Sequence, residues 1–600
     1  MPEKRKKRRM LVVLLLFTLI YTGIVTRMAW IQVIATRSFS SHHIDLVEKS
    51  IAQRREKIVL NTGRGMIYDR NGVSLTGEEQ TGLAIFPLVR YSLRENEKMN
   101  RLAQALGVST GEIVNALSQA KHAGFWKNKD GEIIPLTEKQ AKDVQALNLA
   151  GVLPLPVTVR YPGSGIAHHL IGYLGQNTKE IEQKYQEELL TGALHATSKI
   201  GAAGLERSFQ PFLVGVGEKS VSYFVDGKGN PLNGLDIRLQ EPQNAFYPLS
   251  ISTTIDSGIQ KQMETLFDES TVKKGAAVVL DVKTRDVLGM VSRPDFDPTS
   301  PDPLSDSSKN RAIKQTFPGS VFKIVVAAAA IQEGLVKPDE HFMCKGEYGK
   351  YGFSCPKKGG HGDITFADAF AESCNITFAE VAKRVGAEKL QQYAVDLGLD
   401  QQIGWEKNPF FKMGTFRQLD GEDSGRVFAN DIPRNDEGIL IQTGIGQRDV
   451  QMTPLQAAGI AATIADNGKK QKVRIVDAID YQNGTSFYQF EDRPLEGREI
   501  TAQTAKTLQH LMEGVVDHGT GIGIKGLPWS IAGKSGTAQT IVGGEQKNNQ
   551  WFVGYTPREN PRYAIAIVAE EQPTTGKNHA TEMFGKLVSG LAKDEKTRKQ

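Results

Sequence analysis

The sequence predicts an α+β protein: one membrane-spanning helix at the N-terminus, a β-rich middle segment, and a C-terminal domain built on an antiparallel sheet covered by helices. Three observations carry the prediction. A charge-free run, Met10–Thr26, directly follows a block of six cations. Beyond Ser250, strand-like segments such as Ala276–Asp281 and Asp286–Val291 are joined by turns too short for crossover helices, so they pair as hairpins. Long apolar helical runs alternate with those strands, the pattern of helices packed on an antiparallel sheet.

The anchor comes first. Lys4, Arg5, Lys6, Lys7, Arg8 and Arg9 stand against Glu3 alone, and the run they precede extends through Trp30, Ile31, Val33 and Ile34. That is long enough to span a bilayer, and the cations orient it with residues 1–9 in the cytoplasm, 10–34 in the membrane and the rest of the chain exported. A cleaved signal peptide ending near Val33 and Ala35 is the alternative, but the apolar run exceeds the usual signal core. The net charge of +5 equals that of residues 1–9, so the remaining body is neutral. A neutral body has no basic excess for phosphate, which argues against nucleic acid as a partner.

The middle segment follows. His42–Lys57 reads as a polar, helical stalk, and Gly63–Gly72 as a strand closed by the Asn71-Gly72 turn. Helix-period apolar residues mark Ser92–Leu106, Thr110–Ala120 and Glu138–Leu149, the last opened by the capping box Thr137-Glu138-Lys139-Gln140. From Val152 the pattern returns to short strands and turns, through Asp226-Gly227-Lys228-Gly229, to the strand Ile251–Ile255. The domain boundary is placed near Ser250, giving domains 35–250 and 251–600.

In the second domain a helix at Ser257–Phe267 leads into the hairpin named above, and a long apolar helix begins at Ser320. Strands are expected at Trp529–Gly533, Trp551–Tyr555 and Tyr563–Ala569. A last helix, Thr581–Ala592, places Phe584, Leu587, Val588 and Leu591 on one face.

Three cysteines in 600 residues exclude a disulfide-built scaffold. Cys344 and Cys355 could close one small loop in an oxidising compartment, or remain two free buried thiols. A zinc pair is less favoured: none of the histidines has conventional ligand spacing to these thiols, so no metal is assigned.

Ser-x-x-Lys occurs at Ser118, Ser270, Ser320 and Ser354, and context separates them. Ser320 follows Pro318-Gly319 and opens an almost wholly apolar helix in which a charged Lys323 is costly to bury. Lys323 lies one turn from Ser320, within reach of its hydroxyl. A serine N-cap with a snorkelling lysine would explain that much equally well. Two further triplets break the tie: Ser373-Cys374-Asn375, and Lys534-Ser535-Gly536-Thr537 continuing an apolar strand. Ser-x-x-Lys, Ser-x-Asn and Lys-Ser-Gly in this order form the three-part signature of penicillin-binding proteins and serine β-lactamases.

The chain resembles a class B penicillin-binding protein, a monofunctional peptidoglycan D,D-transpeptidase, over nearly its whole length. Arg64-Gly65-Met66-Ile67-Tyr68-Asp69-Arg70-Asn71-Gly72, Gly204-Leu205-Glu206, Thr254-Ile255-Asp256 and Asn310-Arg311-Ala312 match the family's patterns. So do Thr453-Pro454-Leu455-Gln456, His518-Gly519-Thr520-Gly521 and Trp551-Phe552-Val553-Gly554-Tyr555. Ser535 replaces the commoner threonine but keeps its hydroxyl, and Arg448 stands where a glycine usually continues Gly444-Ile445-Gly446-Gln447.

The resemblance implies an elongated, β-rich, dimerisation-type pedestal over residues 35–250 and a transpeptidase domain over 251–600. It implies Ser320 as nucleophile, Lys323 as its base, and Ser373 and Asn375 as the opposite wall. The backbone amides of Ser320 and Thr537 would form the oxyanion hole, and Lys534, Ser535, Gly536 and Thr537 the substrate carboxylate site. The substrate would be a stem peptide ending in D-Ala-D-Ala, with β-lactams as mimics, no cofactor, and a polytopic glycosyltransferase as partner. A membrane-bound β-lactam sensor or a non-catalytic cell-wall scaffold of the same fold is the alternative.

Overall fold

The computed structural model describes residues 2–39, 45–47, 55–87, 96–129, 131–225, 238–242, 244–349, 351–430, 432–434 and 436–599. The N-terminal α-helix Pro2–Ala29 runs on into a π-helical turn, Trp30–Ile34. Glu3–Ile34 is long and apolar enough to cross a membrane, judged by length and composition. The expected stalk falls mostly outside the described residues, but its last part is extended: Arg55–Asn61 is a strand, drawn into a ladder with Lys219–Phe224.

The chain forms two compact units. One comprises Met1–Thr62, Glu79–Val159 and Gly217–Gln243; the other comprises Gly63–Glu78, Arg160–Val216 and Asn244–Gln600. In the first, two three-stranded sheets carry the helices Asn96–Leu106, Thr110–Gln119 and Glu138–Ala146. Their apolar faces, including Leu102, Ile113, Leu117 and Val144, bury against Leu83. The capping box holds: Thr137 and Gln140 satisfy each other's backbone amides. The expected turn Asp226–Gly229 and the start of the helix expected from Ser92 lie outside the described residues.

In the second unit, Ile67–Tyr68 pairs in parallel with Ser250–Thr253, which pairs on its other side with Val476–Asp480. A Cβ on Gly65 would lie 1.6 Å from the Leu249 carbonyl oxygen, so only glycine lets these backbones approach so closely. The same unit joins two distant sequence patterns. Glu206, fully buried, receives Arg64 Nε and Arg160 Nε, each at 2.7 Å. Arg64 Nη1 also donates to Gln210 Oε1 at 2.7 Å. Burial pushes the Glu206 carboxyl up, but Arg160 and Arg64 outweigh it and hold it at about 2.

The central sheet has strands β1 (Gly275–Asp281), β2 (Val287–Arg293), β3 (Ala532–Val542), β4 (Glu545–Thr556) and β5 (Tyr563–Gln572). Their order is β2-β1-β5-β4-β3, antiparallel throughout, with β3 at an edge. Strand alternation divides the side chains between two cores. Ala276, Val278 and Leu280 join the core shared with the apolar helices Lys323–Gln332 and Pro454–Ala465. Ala277 and Val279 join the core of helices Ser257–Asp268 and His579–Lys599. Phe584, Leu587, Val588 and Leu591 all point into that second core, as their spacing predicts. Both sheet faces are therefore covered by helices.

Candidate active site

Edge strand β3 faces the segment that carries Ser320. Trp551 Nε1 on β4 donates to the Phe317 carbonyl at 2.9 Å, and Asn549 Nδ2 donates to Thr316 Oγ1 at 2.8 Å. Gly319 has φ +55, and a Cβ there would sit 2.3 Å from the Thr537 carbonyl oxygen. Gly446, at φ +72, closes the other side: its carbonyl accepts from Gly319 N at 3.0 Å, and an added Cβ would lie 1.9 Å from the Gly319 oxygen. The loop in which Arg448 departs from the family pattern thus buttresses the Ser320 turn, and Gln447 Nε2 donates to the Thr537 carbonyl at 3.4 Å.

Ser320 does not open the α-helix as expected. Gly319–Phe322 is a 3-10 turn and the α-helix begins at Lys323. The tighter turn follows from the left-handed Gly319 and its close packing on β3. In a 3-10 turn, positions i and i+3 eclipse each other, so Ser320 and Lys323 still project on the same side.

Lys323 is fully buried. Its Nζ donates to the Ser373 carbonyl at 2.7 Å, to Asn375 Oδ1 at 2.8 Å and to Ser373 Oγ at 3.2 Å. Three acceptors match the three donors of an ammonium. Burial nevertheless lowers this amine to about 7, against the pull of the Cys374 and Cys355 sulfurs. Lys534 is also fully buried, 5.8 Å over the Phe370 ring, with Nζ donating to the Ser535 carbonyl at 3.1 Å. Burial first, then the charge of Lys323, push it well below the ordinary lysine value. Two buried amines this close disfavour each other's charge.

Ser373 holds φ +57, a left-handed conformation that costs a non-glycine residue on the order of 1 kcal/mol or more. The turn is pinned by the Lys323 bonds and by Cys374 N donating to the Ala369 carbonyl at 2.8 Å. Asn375 starts the helix Asn375–Val385, and its Nδ2 donates to the Ser354 carbonyl at 3.0 Å. On β3, Gly536 lies against the Ser320 turn, where a Cβ would meet the Pro318 oxygen at 2.8 Å. Ser535 Oγ lies 2.6 Å from Thr520 Oγ1, and Thr537 is exposed. The structure therefore brings Ser320, Lys323, Ser373, Asn375, Lys534 and Gly536 together from three separate stretches of chain.

Cys344 and Cys355 depart from the bridge considered above. Both are free, buried thiols, as is Cys374. The sulfurs of all three and a ring nitrogen of His361 lie within 4.8 Å of one another, although no histidine has conventional ligand spacing to these thiols along the sequence. Their intervals match no short ligand motif because a strand pairing, Cys344 opposite Gly362, assembles them. The usable signal was that all three cysteines fall within residues 344–374, with one histidine between. Sequence reasoning also missed Gly446, Gln447 and Thr520 as site neighbours, and set aside Ser354, whose carbonyl orients Asn375.

The family model for the penicillin binding protein transpeptidase domain matches residues 275–589, which include all three motifs. The chain belongs to the penicillin-binding protein transpeptidase family. The model for the penicillin-binding protein dimerisation domain matches residues 59–245 of this transpeptidase, a span holding both Arg64 and Glu206. Stage V sporulation protein D of Bacillus subtilis is 28% identical over 588 residues, covering 95% of the transpeptidase and 82% of that protein. Peptidoglycan D,D-transpeptidase MrdA of Haemophilus influenzae is 26% identical over 629 residues, covering 96% and 91%. Among solved structures, the D,D-transpeptidase domain of a peptidoglycan glycosyltransferase from Eggerthella lenta aligns with a TM-score of 0.58 at 20% identity, over 89% of this chain and 98% of that one. That likeness concerns the fold.

Proposed function

We propose that this transpeptidase cross-links peptidoglycan stem peptides through an acyl-enzyme on Ser320, and that β-lactams trap the same serine. One observation carries the reading: a lysine lowered to about 7 is buried between the Ser320 turn and the Ser373–Asn375 turn. In its neutral form Lys323 has one donor fewer and a free lone pair, which can accept the Ser320 hydroxyl proton. Ser320 Oγ then attacks the penultimate D-Ala carbonyl. The oxyanion is held by the Ser320 and Thr537 backbone amides. As the C–N bond breaks, the proton passes from Lys323 through Ser373 Oγ to the departing D-Ala amine. An acceptor amine attacks the acyl-enzyme, and Ser320 recovers its proton as it leaves.

Lys534, Ser535 and Thr537 would receive the terminal carboxylate. An arriving carboxylate supplies the countercharge that lets Lys534 hold a proton, and a charged Lys534 keeps Lys323 neutral. Binding of the correct substrate thereby sets the base in its working state.

We further assign residues 1–9 to the cytoplasm, 10–34 to a single membrane span, 35–250 to a pedestal and 251–600 to an extracytoplasmic catalytic domain. The cationic tail and apolar helix support this orientation, and the first domain is the natural contact for a polytopic glycosyltransferase. The test is labelling of the full-length protein with fluorescent penicillin, followed by peptide mapping. The label should map to Ser320 and vanish in Ser320→Ala; a label on Ser118, Ser270 or Ser354 would overturn the assignment.

A further inference from the structure

Next to the Ser373–Asn375 turn lies a set of donor atoms that acyl transfer does not use. Cys344 ends the strand His341–Cys344, and the loop after it folds back on itself. Cys355 N donates to the Gly346 carbonyl at 2.8 Å, and Gly360 N donates to the Lys357 carbonyl at 2.9 Å. Gly360, at φ +80, makes the fold-back possible: a Cβ there would lie 2.2 Å from the Cys344 carbonyl oxygen. The result gathers three buried sulfurs and the His361 ring, with Cys355 Sγ 3.4 Å from His361 Nδ1 and all four donor atoms within 4.8 Å of each other. Thr377 Oγ1 donates to Cys374 Sγ at 3.4 Å, the kind of outer hydrogen bond that orients a ligating sulfur.

A tetrahedral zinc ion with bonds of about 2.3 Å to sulfur and about 2.0–2.1 Å to nitrogen needs its ligand atoms within roughly 4 Å of each other. A contraction of about 1 Å or less meets that requirement. Three thiolates and one imidazole fill the four positions of a closed, structural site, with no open position for substrate.

We propose that Cys344, Cys355, His361 and Cys374 bind one Zn²⁺, and that this ion positions Asn375 and Ser373 for acyl transfer. Binding displaces the thiol protons to solvent. The coupling runs along the backbone. Cys374 sits between Ser373 and Asn375, and the loop bearing Cys355 holds the Asn375 amide through the Ser354 carbonyl. The metal ligands thus clamp both sides of the group that receives Lys323. The four are positioning residues, and this coupling rests on the acyl-transfer reading; the metal site does not.

The test uses the full-length protein purified in detergent without chelator. Elemental analysis should find about one zinc per chain, lost in Cys355→Ser and His361→Ala and retained in His361→Cys, which keeps four ligands. Stripping the metal should slow penicillin acylation about tenfold or more, in the acylation rate constant and not in initial penicillin binding, and added zinc should restore it. His361→Cys should acylate at close to the wild-type rate, which separates lost metal from lost packing. No zinc in protein that labels fully, or an intact mass showing two thiol hydrogens lost to a disulfide, overturns the site. Bound zinc whose removal leaves acylation unchanged overturns the positioning role. Zinc present with no label on Ser320 counts against the catalytic reading alone.

Discussion

Lys323 Nζ donates to Asn375 Oδ1 at 2.8 Å across a sequence separation of 52 residues. The same amide reaches the other way, giving its Nδ2 to the Ser354 carbonyl. An amide held at both ends cannot flip, so its oxygen stays aimed at the lysine. Two of the three sequence motifs are thereby joined through one buried amine, and the third supplies the competing amine, Lys534.

Under the proposed mechanism, loss of Lys323 leaves Ser320 in place but poorly activated. Lys323→Ala is expected to slow acylation by about 10²–10⁴-fold, the range of a general base. Asn375→Ala removes one hydrogen bond to a charged group, about 1.5–3 kcal/mol, and should slow acylation less. Stopped-flow or quenched labelling with a fluorescent penicillin measures both; a wild-type rate in Lys323→Ala would refute the assignment.

The pH profile follows from the same amine. Lys323 is lowered to about 7 by burial, so its neutral, proton-accepting form grows as pH rises through that value. Acylation should climb through about pH 7 and level off above it, falling roughly tenfold per pH unit on the acid side. An acylation rate flat from pH 5 to 9, in rough steps of one unit, would exclude Lys323 as the base.

Lys534→Ala should discriminate between ligands. A penicillin with a free carboxylate should lose acylation efficiency by an amount typical of a charged hydrogen bond, about 1.5–3 kcal/mol or 10–10²-fold. Its methyl ester, already poor, should change little. Equal losses for acid and ester would show that Lys534 acts on the base rather than the carboxylate.

Glu206 predicts an acid limit on stability. Its folded value of about 2 lies below that of an unfolded glutamate, about 4.3. A depressed carboxyl stabilises the fold fully above the unfolded value, and the contribution is lost as pH falls from about 4.3 toward 2. Glu206→Gln leaves Arg64 and Arg160 facing each other without a counter-charge and should cost about 3–5 kcal/mol. Denaturant melts at pH 7 and pH 3 test this: the gap between wild type and variant should shrink at the lower pH.

Much of this molecule was legible in its sequence because the signals are local. The short turn that makes Ala276–Asp281 and Asp286–Val291 a hairpin and the helical spacing in Phe584–Leu591 depend only on near neighbours, and the structure keeps both. A lysine inside an apolar helix flagged Ser320 among four Ser-x-x-Lys matches for the same reason: burying a charge without use is costly. The helix start was misplaced by three residues because the constraint on Gly319 comes from Thr537, far along the chain.

The sequence alone determined the N-terminal apolar helix, the hairpin of β1 and β2, and the identity of the three motifs that meet around Lys323. Tertiary structure alone decided what those motifs do to one another. The pairing of β1 with β5 joins Gly275 to Ala569, and no local periodicity encodes so distant a register. Only burial close to one another makes Lys323 and Lys534 compete for charge. The cysteines show the same division. Their spacing allowed a bridge, two free buried thiols or, less favoured, a zinc pair, and only the pairing of Cys344 with Gly362, with the loop folding back between them, brought three sulfurs and one imidazole together.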